Sequence, residues 1–139
     1  MSPNGSFAYV ANQGSNDVSA YAVDTATGVL TALGGGTGNP FSAGTTPVGM
    51  TITPNGSFAY VVNSGSNNVS AYTVNIGTGA LTALAGGTGN PFPAGTTPTG
   101  ITVTPSGSFL YVANSGSNNV SAYTMDAGTG ALTALGGVT

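Results

Sequence analysis

One period governs this chain. Tyr9, Tyr60 and Tyr111 are spaced by 51 residues, as are Asn12, Asn63 and Asn114, and Gly28, Gly79 and Gly130. Residues 3–53 align with 54–104 without a gap and differ at 13 positions; a third copy starts at 105 and ends in "ALGGVT". Repeats of this length are each one supersecondary unit, and a unit buries its apolar surface against its neighbours rather than within itself. The chain therefore holds two full units and about two-thirds of another.

Within a unit the apolar residues recur every second position, which is the period of a strand. "GITVTP" (100–105) sets Ile101 and Val103 against Thr102 and Thr104, so it predicts a short half-buried strand. "PSG" supplies a hairpin turn, "SFLYVAN" a second strand rich in aromatic and β-branched residues, and "SGSN" the next turn. "NVSAYTM" is the third strand, "DAGTG" a reversal and "ALTAL" the fourth strand. The stretch "GGTGNPFPAGTTP" (86–98) is a long Gly/Pro connection that suits neither helix nor inner strand. Gly, Thr, Ser, Asn and Pro fill every window, which removes helix throughout. The prediction is all-β: four-stranded antiparallel sheets stacked as propeller blades, about 2.7 blades in all. The expected layout is a single repeat domain over 1–139, with a partial blade at 1–36 (strands two to four) and full blades at 37–87 and 88–139. On this phasing the inner strand of the first blade is absent.

Charge sets the next bound. The chain has no Lys, Arg or His, and only Asp17, Asp24 and Asp126 carry charge, for a net −3. No cation is available to neutralise phosphates, which excludes nucleic acid and anionic headgroups as partners. No apolar run approaches the roughly 18 residues of a membrane span, and the first residues do not form a secretory signal. With no Cys, disulfides and thiolate metal sites are excluded.

The motifs "LYVAN", "SGSNNVSAY", "GTGALTAL" and "NPFPAGTTPTGITVTPSGSF" resemble the YVTN-type repeats of the lactonase-family seven-bladed propellers, the group that includes 6-phosphogluconolactonase-like proteins. The resemblance covers essentially the whole chain and implies the propeller fold. One departure stands out. The family's turn of Pro, Ser or Asp, Gly, then Arg or Lys appears here as Pro3-Asn4-Gly5-Ser6, Pro54-Asn55-Gly56-Ser57 and Pro105-Ser106-Gly107-Ser108, with Ser in the basic position. Hydrolysis of a phosphorylated sugar lactone would call for basic and acidic residues around the central channel, and none can be placed on this sequence.

The candidate residues are accordingly structural ones. General acid–base chemistry needs a group that titrates near neutrality, and only Asp and Tyr remain, so no catalytic residue, cofactor site or metal site is assigned. Asp24, Asn75 and Asp126 share one repeat position and open a turn that a side-chain oxygen can stabilise. Lone carboxylates 51 residues apart do not build a Ca²⁺ site. Asn68 and Asn119 stand where Asp17 does, so that carboxylate is dispensable to the framework. Phe7 with Tyr9, Phe58 with Tyr60, and Phe109 with Tyr111 lie two apart on a strand and share a face, which predicts inter-blade or inter-subunit packing. Asn4, Asn55, Asn68 and Asn119 each open an N-x-S sequon, which matters only in a secretory host. "GGTGNPF" precedes no helix and contains no Lys, so it is not a phosphate loop.

These features together predict a structural, self-assembling propeller module without catalytic chemistry, extracellular or at a cell surface, whose partners are other copies of itself in a filament or ring. Faces carrying Phe7, Tyr9 and Tyr111 would lack a partner within the chain, and no Lys blunts the open edges. Two alternatives are a fragment of a lactonase-like enzyme acting on sugar lactones, and an extracellular carbohydrate- or protein-binding module.

Overall fold

The computed structural model of the protein describes residues 1–34, 36–85 and 89–136. Strands alone form its regular structure, and there is no helix among these residues. The first sheet holds β1 (Phe7–Asn12), β2 (Asp17–Val23) and β3 (Leu30–Ala32), with the two-residue β4 (Phe41–Ser42) paired to β2. The second runs β5 (Pro47–Ile52), β6 (Phe58–Asn63), β7 (Asn68–Val74) and β8 (Leu81–Ala83), with β9 (Phe92–Pro93) paired to β7. The third runs β10 (Pro98–Val103), β11 (Phe109–Asn114), β12 (Asn119–Met125) and β13 (Leu132–Ala134). All pairings are antiparallel, and strand order follows chain order, as in a propeller blade.

Two details differ from the sequence expectation. The long connections are not wholly irregular: Phe41 and Phe92 anchor short strands on the sheet they have just left. The first two sheets therefore extend past residues 36 and 87, because a buried phenylalanine in the connection needs that sheet's face to cover it. The inner strand also starts earlier than "GITVTP", at Pro98, with a register shift between Pro98 and Gly100 and another between Pro47 and Gly49. That shift is a β-bulge at Thr99 and Val48. The first residues of the Gly/Pro connection, 86–88, lie outside the described residues.

The register divides each blade into two apolar faces. Tyr60 lies opposite Ala71 and Val62 opposite Val69, so these four share a face with Phe58; we call it the forward face. Ala59 lies opposite Tyr72 and Val74 opposite Leu81, which with Val61 make the rear face. The forward face of the second blade packs on Leu110, Val112, Tyr123, Met125 and Leu132 of the third. The forward face of the first blade, with Tyr9, Val18, Ala20 and Phe41, packs on the rear face of the second. The core thus sits between sheets. Each fully buried large apolar side chain there is worth about 1.5–3 kcal/mol as an upper figure.

This arrangement corrects one expectation. Phe7 and Tyr9 do have a partner within the chain: Tyr9 is buried, and its hydroxyl donates to the Gly79 carbonyl of the second blade at 2.9 Å. The forward face always points toward the following blade, so only the last forward face, with Phe109 and Tyr111, stays open. At the other end of the stack the open surface is the rear face of the first blade, with Val10 and Leu30 exposed.

Candidate functional site

Each blade has two ends of different character. At one, the turn between the second and third strands (64–67 in the second blade) meets the last residues of the long connection, Gly44, Thr45 and Thr46. We call this the loop end. At the other, the Pro-Asn-Gly-Ser turns meet the turns opened by Asp24, Asn75 and Asp126.

The loop end is built around one buried asparagine per blade. Asn63 is fully buried, and its amide nitrogen donates to Asn68 Oδ1 at 2.8 Å and to Ser70 Oγ at 2.9 Å. Its own oxygen accepts from the Gly44 amide at 3.1 Å. Asn114 repeats the arrangement with Asn119, Ser121 and Gly95. Glycine is required at the contact: a Cβ at Gly44 would stand 2.6 Å from the Asn63 side chain. A second asparagine joins one blade to the next. Asn16 Oδ1 accepts from the Thr46 amide at 2.7 Å, and Asn67 does the same for Thr97. Asn16, Asn67 and Asn118 adopt φ of 53–60°, and Thr46 and Thr97 φ of 50–55°. For residues other than glycine that conformation costs about 1–2 kcal/mol, and all five positions lie at this end.

Asp17 is the one carboxylate of the three at the loop end. It occupies the position of Asn68 and Asn119 and accepts from Asn12 Nδ2 at 2.7 Å, while Asn12 also donates to Ser19 Oγ at 2.8 Å. The loop end therefore offers amides and hydroxyls, one carboxylate, and no cation. Among the described residues no group of three or more His, Cys, Asp or Glu is gathered. No helix of the described residues is long and apolar enough to cross a membrane.

The residues singled out from sequence fall mainly at the turn end or between blades. Asp24 Oδ1 accepts from the Ala26 and Thr27 amides, and Asp126 from those of Gly128 and Thr129. These hydrogen bonds favour the ionised form and hold both carboxyls below the ordinary carboxylate range. Asn75 makes the same pair of bonds to Gly77 and Thr78 without charge. Burial pushes the Tyr9 phenol up to about 12 and raises that of Tyr60, which Asp126 raises further. The Tyr60 hydroxyl donates to the Gly130 carbonyl at 2.8 Å, as Tyr9 does to Gly79. Burial also raises Tyr72 and Tyr123, whose hydroxyls reach back to the carbonyls of Ser42 and Pro93 in the preceding unit's connection.

The four sequons are split between the ends. Asn4 and Asn55 are exposed at the turn end and, with Phe7, Val74 and Ile76, line a cleft of about 130 Å³ between the first two blades. Asn68 and Asn119 are half-buried within the loop-end networks, their side-chain oxygens already engaged. The sequence reading did not single out Asn16, Asn63 or Asn67. Their repetition at 51 residues was visible, but nothing local separates a buried polar hub from an ordinary turn asparagine.

Comparison with known proteins places this geometry. The profile of the lactonase family, described as a seven-bladed β-propeller, matches residues 1–93 and 88–138. A 6-phosphogluconolactonase of Formosa agariphila is 36% identical over 86 residues, covering 60% of this chain and 23% of that protein. The crystal structure of a candidate 6-phosphogluconolactonase from Bacteroides uniformis superposes on the whole chain with a TM-score of 0.87 at 26% identity. One from Bacteroides fragilis gives 0.87 at 24%, a likeness that bears on the fold. The chain spans 38% and 37% of those two structures. These findings overturn the expectation of a structural module that is not an enzyme: the relatives carry the names of lactonases, and they support the lactonase alternative instead. The error lay in treating a lack of cations as a lack of chemistry, when these repeats are also the framework on which the family builds.

Proposed function

The chain belongs to the lactonase family of seven-bladed β-propellers, and from that premise we propose that it forms part of a propeller that opens a sugar lactone with water. In that reaction water adds to the ring carbonyl, the ring C–O bond breaks, and a carboxylic acid and a hydroxyl result. The observation that carries the reading is the family match along almost the whole chain, together with relatives named for this activity.

The loop end suits the part. Its amides and hydroxyls complement the hydroxyls of a sugar ring, and its strained turns are fixed from two blades at once. Asp17 is the one carboxylate there able to draw a proton from attacking water, and Asn12 fixes its orientation. A phosphate group would meet no Lys, Arg or His on this chain, which favours an unphosphorylated lactone.

The test is acid release from gluconolactone and from its 6-phosphate by the purified protein and by Asp17→Asn. That variant installs the residue that the other two repeats already carry, so the loop-end network survives it. The expected result is faster opening of the unphosphorylated lactone, reduced about 10²-fold in the variant. Rates no higher than spontaneous opening, or a variant equal to the parent, would contradict it.

A further inference from the structure

The forward face of the third blade is the same surface that is covered one repeat earlier. Phe58 is 6% exposed and Tyr60, Val62, Val69 and Ala71 are 0% exposed; at their repeat positions Phe109 and Tyr111 are 37% and Val120 42% exposed. Ala113 is exposed as well. The chain itself displays what fits this surface, because it covers the two preceding forward faces in one way. A rear face packs onto it, the tyrosine hydroxyl donates to the carbonyl of a turn glycine, and the phenylalanine ring lies over that glycine.

The first blade presents such a rear face uncovered. Ala8, Val10, Tyr21, Val23 and Leu30 hold the repeat positions of Ala59, Val61, Tyr72, Val74 and Leu81. The latter are 0–9% exposed, whereas Val10 is 46% and Leu30 50% exposed. Gly28 holds the position of Gly79 and Gly130, has φ of +75°, and has nothing within 4 Å of where a Cβ would stand. We propose that the third blade of one molecule takes the first blade of a second copy, head to tail. Tyr111 then donates to the Gly28 carbonyl of that copy, and Phe109 covers the glycine. The nearby Asp24 does not oppose the contact, since Asp126 at the same position already borders the covered interface and acts on Tyr60. The contact continues an interface that the chain makes twice within itself, and it is independent of the proposed catalysis.

A head-to-tail contact joins two different surfaces, so it can be told from a face-to-face dimer. The experiment is light scattering during size exclusion at micromolar concentration on the parent chain, Tyr111→Asp, Val10→Asp, and an equimolar mixture of the two variants. Both positions are exposed, and circular dichroism checks that each variant keeps its strands. The proposal expects the parent to run above 13.3 kDa, each variant alone to be monomeric, and the mixture to give pairs with one chain of each kind. The mixture pairs because the first variant keeps its rear face and the second its forward face. A monomeric parent, self-association of either variant alone, or a mixture that stays monomeric would each overturn it.

Discussion

Strands β6 and β11 carry nearly the same residues, FAYVVN and FLYVAN, in sheets of the same order, yet their surroundings differ completely. All six residues of β6 are buried, whereas along β11 exposed and buried residues alternate. The local sequence cannot account for this, since Phe58 and Tyr60 become Phe109 and Tyr111 without any change of type. What differs is the neighbour. The second blade has one on each side and the third has one only, so half of β11 forms core and the other half forms surface. Folding stability in this chain is therefore stored between units, as a nearest-neighbour term, more than within them.

That comparison can be broken by paired substitutions, measured by denaturant unfolding at submicromolar concentration. The largest contrast is expected for Phe58→Ala and Phe109→Ala. Removing the buried ring should cost about 3–5 kcal/mol, and removing its exposed counterpart less than about 1 kcal/mol. Equal losses would mean that the third forward face is not open.

Next is the turn glycine. A Cβ at Gly79 would stand 2.5 Å from the Phe7 ring, whereas one at Gly28 would meet nothing. Both have φ near +75°, so each Gly→Ala change bears the left-handed cost of about 1–2 kcal/mol. Gly79→Ala should add about 1–3 kcal/mol of overpacking to that. Similar destabilisation at both positions would remove the phenylalanine from the explanation.

A smaller contrast sharpens the role of the tyrosine. Tyr60→Phe leaves the Gly130 carbonyl without its donor and should cost about 1 kcal/mol, while Tyr111→Phe should leave the unfolding midpoint unchanged.

The smallest effect separates the outer blades from the middle one by acid. Asp24 and Asp126 titrate below the ordinary carboxylate value in the folded chain, so their contribution is present above about pH 4 and is lost as the pH falls through the folded values. Thermal melting should fall over that range in the parent, and less in the double variant Asp24→Asn, Asp126→Asn, which copies Asn75. An unchanged acid dependence in the variant would contradict this assignment.

The fold was legible in the sequence because each level repeated the same message. Period-two strands, Gly turns and a 51-residue repeat all point to a propeller blade. The direction of stacking was not legible. Phe7 and Tyr9 look identical to Phe109 and Tyr111, and only the position of Gly79 in space shows that the first pair is covered and the second is not. The loop end was hidden for a related reason. Asn63 and Gly44 are 19 residues apart, and their hydrogen bond exists only once the connection folds back over the turn. The function was misjudged on composition, since charge content describes what these blades lack and says nothing of the family that uses them.

The central claim, that a neighbouring blade and not the local sequence sets the stability of each strand, is tested most directly by native-state hydrogen exchange. Amides of β6 and β11 are compared at submicromolar concentration, where second copies are dispersed. Both strands are paired on each side within their sheets, so backbone hydrogen bonding alone predicts equal protection. The account predicts slower exchange at Tyr60 and Val62 than at Tyr111 and Ala113, whereas equal protection of the two strands would contradict it.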